Sequence, residues 1–207
     1  MSKLSKKERI VLEAKKMFAQ NGYAQTIMDD LAQAADVNKA TIYYHFKDKA
    51  TLYETLFLEG VQKIADRVIE QTDEQTHPQE KLAVYIKVYA TSLQECYHLS
   101  SILLREIASG GDSMPSSVLA QLLRTTKRLT EILEMCAEKN GGVCYEPMVI
   151  QLMIISTLSS FITTKPIRKR VKDELDSSAP TLPALKLEDI AEKLTFMIYA
   201  SLQKGEK

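Results

Sequence analysis

The chain has 207 residues, of which 45% are hydrophobic, 26% charged and 7% aromatic, and its 27 Lys and Arg are balanced by 27 Asp and Glu. So large an apolar share at this length excludes wholesale disorder and fibrous repeats, and it suffices for one large domain or two small ones to bury a core. Only seven Gly and six Pro interrupt the apolar stretches, which predicts an all-α protein.

Ile10, Ala14, Met17 and Phe18 recur at helical spacing between Ser5 and Gln20, and Asn21-Gly22 supplies a left-handed stop. Thr26 to Asp29 reads as a capping box for a short helix through Leu31, Ala32 and Ala35. Asp36 to Asn38 then turns the chain, with Asn38 as the cap of a second short helix, Lys39 to Phe46. Asp48 can cap a longer helix whose stripe is Leu52, Leu56, Phe57, Gly60, Val61, Ile64 and Val68. Beyond the polar stretch Thr72 to Pro78, Leu82, Tyr85, Ile86, Tyr89 and Leu93 mark another helix. A shorter helix is expected over about 99–108, followed by a loop from Ser109 to Pro115. Val118, Leu122, Leu129, Ile132, Leu133 and Cys136 trace a long helix closed by Asn140-Gly141-Gly142. An uncharged helix follows, from about Met148 to Thr164, then a basic run, a Ser/Pro-rich linker from Asp176 to Lys186 and a last helix from Leu187 to Leu202. The uncharged run from Pro147 to Thr164 reaches 18 residues, but seven of them are Gln, Ser or Thr, so it predicts a buried helix and no membrane span.

Charge is uneven. Residues 1–52 hold nine of the basic residues and six of the acids, so a mildly basic head precedes a mildly acidic body. Two short helices joined by a tight turn, over about 27–46, form the arrangement in which a helix-turn-helix lays its second helix in the major groove. Ile42 and Phe46 stand four apart and pack inward with Val37 and Leu31, leaving Lys39, Ala40, Thr41, Tyr44 and His45 outward or sideways. A small residue at Ala40 permits close approach to base edges, and Lys39 can donate to guanine. Thr41, Tyr43, Tyr44 and His45 carry donors on short or rigid side chains suited to phosphate oxygens. Lys49 lies in the first turn of the next helix, where free amides already favour an anion.

The run Arg9-Ile10, Ala14, Phe18, Gly22-Tyr23, Thr26, Leu31-Ala32, Ala35, Val37, Lys39 to Phe46, Lys49 and Leu52 resembles the DNA-binding domain of TetR-type (tetracycline-repressor-like) regulators. The resemblance covers roughly residues 4–64, leaving 65–207 as a helical ligand-binding and dimerisation domain. It implies a ligand-responsive transcriptional regulator, a repressor, whose homodimer grips a palindromic double-stranded DNA operator and is released by a small molecule. It also implies base contacts from Lys39 and Ala40, with Thr41, Tyr43, Tyr44, His45 and Lys49 on the backbone. Two positions depart from the family pattern. Ile27 stands where a Ser or Thr is usual, leaving Thr26 to supply the phosphate-binding hydroxyl, and Asp36 stands where Gly is frequent, so that Asp must take the left-handed conformation. Asp29, near the groove-facing start of its helix, would repel phosphate or accept from cytosine.

In an arbitrary helix Tyr43 and Tyr44 would read as packing aromatics and His45 as a surface histidine; within this constellation all three are assigned to DNA. His77 and His98 lack partners at metal-ligand spacing, so no metal site and no cofactor are expected. No nucleophile elbow, P-loop or dinucleotide turn occurs, and no enzyme activity is assigned. Cys96, Cys136 and Cys144 fit neither a disulfide framework nor a metal knuckle; with no export signal in the charged N-terminus, a reducing cytoplasm is the expected home. Cys96 and Cys136 read as small core residues, and Cys144 as a loop thiol open to oxidation. The run from Lys165 to Lys172 carries five bases in eight residues and reads as a solvated face, with an anionic ligand as the sharper alternative. A dimer seam is expected at Ile155, Leu158, Ile162, Ile190, Leu194 and Met197, and a ligand pocket at Tyr85, Tyr89, Met114, Met135 and Phe161. The competing reading is an architectural or cell-cycle DNA-binding protein that uses the same head without an inducer.

Overall fold

The computed structural model describes residues 4–140, 146–174 and 185–202, and every regular element among them is an α-helix. Four helices build the head and its exit: α1 (Lys6–Gln25), α2 (Met28–Ala34), α3 (Lys39–Phe46) and α4 (Lys49–Asp73). The body adds α5 (Pro78–Glu95), α6 (Tyr97–Ala108), α7 (Ser116–Asn140), α8 (Pro147–Thr163), α9 (Lys165–Glu174) and α10 (Leu187–Ser201). The boundary drawn at residue 64 falls inside α4, which runs unbroken from head to body. At 25 residues it is about 37 Å long, a rigid rod shared by both parts.

Local chemistry sets the helix ends of the head. Ser5 and Glu8 form a reciprocal capping box on α1. Asn38 Oδ1 accepts the Thr41 amide at 2.7 Å, and Asp48 Oδ1 accepts the Thr51 amide at 2.7 Å, as the sequence predicts. Asp36 takes the left-handed conformation at φ 51°, so an Asp serves the turn in which Gly is frequent. The capping box expected at Thr26 does not form. Ile27, which has no oxygen to offer, occupies the N-cap of α2, and the Thr26 hydroxyl one residue earlier turns inward to donate to Gly22 O at 2.7 Å.

Phe18, Leu31, Ile42 and Leu52 close the head core, each fully buried. In the body, Tyr85 and Tyr89 of α5 are likewise buried and meet Thr125 of α7 and Gln151 of α8 in a polar cluster. Tyr89 Oη donates to Thr125 Oγ1 at 2.8 Å, Gln151 Nε2 donates to Tyr89 Oη at 2.9 Å, and Tyr85 Oη reaches both Gln151 Oε1 and the Thr125 carbonyl. Burial pushes both phenols above their ordinary pKa, so each stays a neutral donor. Buried polar groups with their partners in place tie three helices to one geometry.

The basic run after Thr164, expected as a solvated face, is the helix α9, and most of its described side chains are exposed. No single helix among the described residues is long and apolar enough to cross a membrane. The helix stop at Gly141-Gly142, Cys144 and most of the expected linker lie outside the described residues. Cys136 is fully buried, and burial pushes its thiol up to about 11, whereas Cys96 is half-buried at the α5–α6 junction.

Candidate DNA interface and its link to the body

The second helix of the helix-turn-helix presents a sharply two-sided surface. Ile42 and Phe46 are buried, while Lys39, Ala40, Tyr43, Tyr44 and His45 are exposed and Thr41 is half-buried. Tyr44 is 85% exposed, a large aromatic with almost no packing inside its own chain. Its ring meets His45 edge to face at 5.2 Å, so two donors project side by side.

The structure also commits several of the expected groups before any DNA arrives. Thr26 is 2% exposed with its hydroxyl proton spent on Gly22 O, so it cannot stand in for the hydroxyl missing at Ile27. The Thr41 hydroxyl donates to Asn38 Oδ1 at 2.7 Å and serves the cap. Lys49 Nζ donates to Ala24 O at 3.1 Å and lies 4.6 Å from the Tyr23 ring centroid, where partial burial lowers its pKa. Lys39 Nζ pairs with Asp29 Oδ2 at 2.9 Å, and this hydrogen bond raises the lysine pKa.

A second set of residues, which sequence reasoning missed, joins this head to the body. The positive φ of Gly22, 78°, breaks α1 and leaves the carbonyls of the preceding turn without helical partners. Arg105 of α6 supplies them: its Nε donates to Ala19 O at 2.9 Å and its Nη2 to Gln20 O. A cation at a helix C-terminus also complements the helix dipole. The next residue, Glu106, is 4% exposed and accepts the Tyr53 hydroxyl of α4 at 2.6 Å. Burial, then the bond to Glu106, drives the Tyr53 pKa upward, which keeps the phenol a donor. Tyr53 in turn packs edge-on to Phe18 at 4.9 Å and against Tyr23 at 5.0 Å. A signal for the pair was present, because Leu99, Ile102, Leu103 and Glu106 share one apolar stripe of α6, and an acid there requires a partner.

The pocket and dimer residues expected from the sequence do not converge. Tyr85 and Tyr89 belong to the closed polar cluster, Met114 follows the Gly111 turn, and Met135 is packed on the core. Phe161 alone lines an open groove of about 1130 Å³ at the far end of α6. The groove floor is apolar, built from Tyr97, Phe161, Ile162 and Leu187. Lys165, Lys169 and Lys186 stand around it with one acid, Glu188, and the Arg168 guanidinium lies 3.9 Å over the Phe161 ring. Of the expected seam, Ile155, Leu158 and Leu194 are buried in the chain's own core, Ile162 and Ile190 are packed against it, and Met197 is exposed. The correction has a simple cause: both helices are apolar on more than one face, and spacing alone does not say which face is taken by the chain itself. The exposed apolar faces carry Met148, Val149, Leu152 and Met153 on α8, and Phe196 and Met197 on α10.

An all-α chain with a helix-turn-helix head and a larger helical body clamped to it by α6 has the architecture of a DNA-binding regulator. Residues 10–56 match the bacterial regulatory proteins of the tetR family. The chain is 30% identical to the fatty acid metabolism regulator protein of Bacillus subtilis (strain 168) over 159 residues, 75% of this chain and 81% of that one. Two solved structures share the fold over nearly all of both chains. The TetR family transcriptional regulator PfmR from Thermus thermophilus has a TM-score of 0.69 at 23% identity, covering 95% of this chain and 100% of that one. The regulator FadR from Bacillus subtilis, solved in complex with stearoyl-CoA, has a TM-score of 0.68 at 20% identity, covering 94% and 98%. The chain belongs to the tetR family and is a DNA-binding transcriptional regulator.

Replacing Tyr53 with Phe removes the hydroxyl that donates to a buried carboxyl and is expected to cost about 1–3 kcal/mol. Urea unfolding followed by circular dichroism checks this, with Tyr44→Phe on the exposed face as the control; equal midpoints for wild type and Tyr53→Phe would remove the Glu106 contact from the account.

Proposed function

We propose that the chain is a ligand-responsive repressor that binds a palindromic operator as a two-fold dimer and lets go when a small molecule occupies its body. The observation that carries the DNA half is the exposed flank of α3, above all the unpacked Tyr44 ring. Lys39 and Ala40 are assigned to base edges, and Tyr43, Tyr44, His45 and Lys49 to the phosphate backbone. Thr26 and Thr41 leave that set, because their hydroxyl protons are already spent within the chain.

The exposed apolar faces of α8 and α10 support the dimer, since an apolar surface of this kind marks an association site. Two heads must then stand about 34–36 Å apart, or a multiple of one DNA turn. The effector is assigned to the groove at the far end of α6, whose apolar floor and cationic surround suit an amphipathic anion. A fatty acid metabolism regulator among the relatives, and stearoyl-CoA in a protein of the same fold, support that class. Tyr97 and Ser101 of α6 line the groove, while Arg105 and Glu106 of the same helix hold the head. A ligand that shifts α6 therefore acts on head position directly, and operator and effector oppose each other reciprocally.

Tyr44→Ala is expected to weaken binding to the operator duplex by about tenfold or more with unchanged helicity, read by fluorescence anisotropy and circular dichroism. Unaltered affinity would remove α3 from the interface. Phe196→Glu should convert dimers to monomers by light scattering, whereas a mass that stays dimeric refutes the α8 and α10 placement. Stearoyl-CoA is expected to release the operator duplex where free coenzyme A does not. The double substitution Lys165→Ala and Lys169→Ala should raise the concentration needed about tenfold, equivalent to roughly 1.4 kcal/mol. Indifference of the complex to stearoyl-CoA would refute the ligand class.

A further inference from the structure

One acid stands where a polyanion is to be met. Asp29 is the second residue of α2, Lys39 is the first of α3, and the turn between them brings Asp29 Oδ2 to 2.9 Å from Lys39 Nζ on the outer surface of the head. Both side chains are exposed, 68% and 44%, so the pair contributes little to folding. Against phosphate alone the arrangement is counterproductive, because the carboxylate cancels the positive charge of the residue best placed to enter the groove. Its chemistry fits a base pair instead.

The geometry points to Asp29 and Lys39 as a joined acceptor and donor that reads a single G·C pair in each half-site; this rests on the assignment of α3 to the major groove. A G·C pair displays the guanine O6 and N7 acceptors beside the cytosine N4 amino donor. The Lys39 ammonium has three protons, so it can keep Asp29 and still donate to guanine. The carboxylate has oxygen lone pairs to spare for cytosine N4. At an A·T pair, the thymine O4 acceptor stands where cytosine carries its amino group, and Asp29 faces oxygen. Asp29 thereby acts as a specificity-determining residue that both aims Lys39 and rejects the alternative pair. The competing explanation is that Asp29 merely complements the dipole of α2, whose N-cap lacks a side-chain bond. Asp30 lies in the same first turn and would do that equally well, which makes it the control.

The experiment is selection from a random double-stranded DNA library with the full-length chain, repeated with D29N, D30N and K39M, each checked for unchanged helicity. Wild type and D30N are expected to enrich one G·C pair per half-site that D29N and K39M no longer prefer, with the other positions kept. On the enriched duplex, exchanging that pair for A·T should weaken wild type about tenfold to a hundredfold, and D29N by less than about threefold. If all four proteins enrich the same bases at every position, the proposal fails while DNA binding by α3 stands. Tighter binding of D29N to every duplex, with preferences unaltered, would reduce the acid to a general electrostatic brake and also overturn it. If D30N loses the preference as D29N does, the dipole explanation replaces it. No enrichment by wild type would take down the DNA-binding assignment itself.

Discussion

A helix that ends inside a protein must find partners for its last carbonyls, and in this chain that requirement fastens the two halves of the molecule together. Gly22 breaks α1 with a left-handed residue, and the carbonyls released at Ala19 and Gln20 are taken by Arg105, 86 and 85 residues further on. Glu106, its neighbour, holds α4 through Tyr53. The head is small, and helices of this length draw most of their stability from packing. A head whose helix end is finished by the body cannot float free of it. Beside those contacts α4, which runs through both parts without a break, adds a continuous rigid connection.

The same economy shows on the recognition surface. Residues that fix the backbone of α3 are kept separate from those that face outward: Asn38 and Thr41 build the cap, and Ile42 and Phe46 build the core. What remains, Lys39, Ala40, Tyr43, Tyr44 and His45, contributes little to holding the head together and is exposed on it. Tyr44 states this most plainly, since an aromatic ring 85% exposed in the free chain forgoes the burial that aromatic rings ordinarily gain. Cap and core fix the backbone of α3, so the ordering left for a partner to impose is confined to its exposed side chains.

The helical layout was legible because apolar spacing and cap residues agree, and the caps at Asn38 and Asp48 fall where the sequence places them. Thr26 misled because a capping motif is defined by spacing, while the winner is decided by which residue the turn leaves extended; here that was Ile27. Tyr85 and Tyr89 are ambiguous for a related reason. A tyrosine at helical spacing fits a ligand pocket and a sealed polar cluster alike, and only the arrival of Thr125 and Gln151 from two other helices distinguishes them. The apolar spacing that suggests Leu194 for a seam serves the chain's own core, where the residue is buried. The Arg105 and Glu106 contacts could not be paired from sequence, because their partners lie 86 and 53 positions away on helices whose crossing is set by the whole fold.

The charge balance on the head then says what kind of binder this is. The excess of bases in residues 1–52 is small, and four of those bases are already paired: Arg9 with Asp36 at 2.6 Å, Lys15 with Glu59, Lys16 with Glu13 and Lys39 with Asp29. Lys49 is further engaged by the Ala24 carbonyl and the Tyr23 ring. Sequence-independent affinity grows with the number of phosphates a protein neutralises, each contributing to the release of counterions. A head that pairs its own cations internally gives up part of that general attraction, and it gives it up for every duplex alike. Shape and hydrogen-bond pattern must then supply more of the binding, and those are the contributions that differ between an operator and the rest of the chromosome. On the proposed contact face, a modest charge with an acid at Asp29 thus favours discrimination over grip.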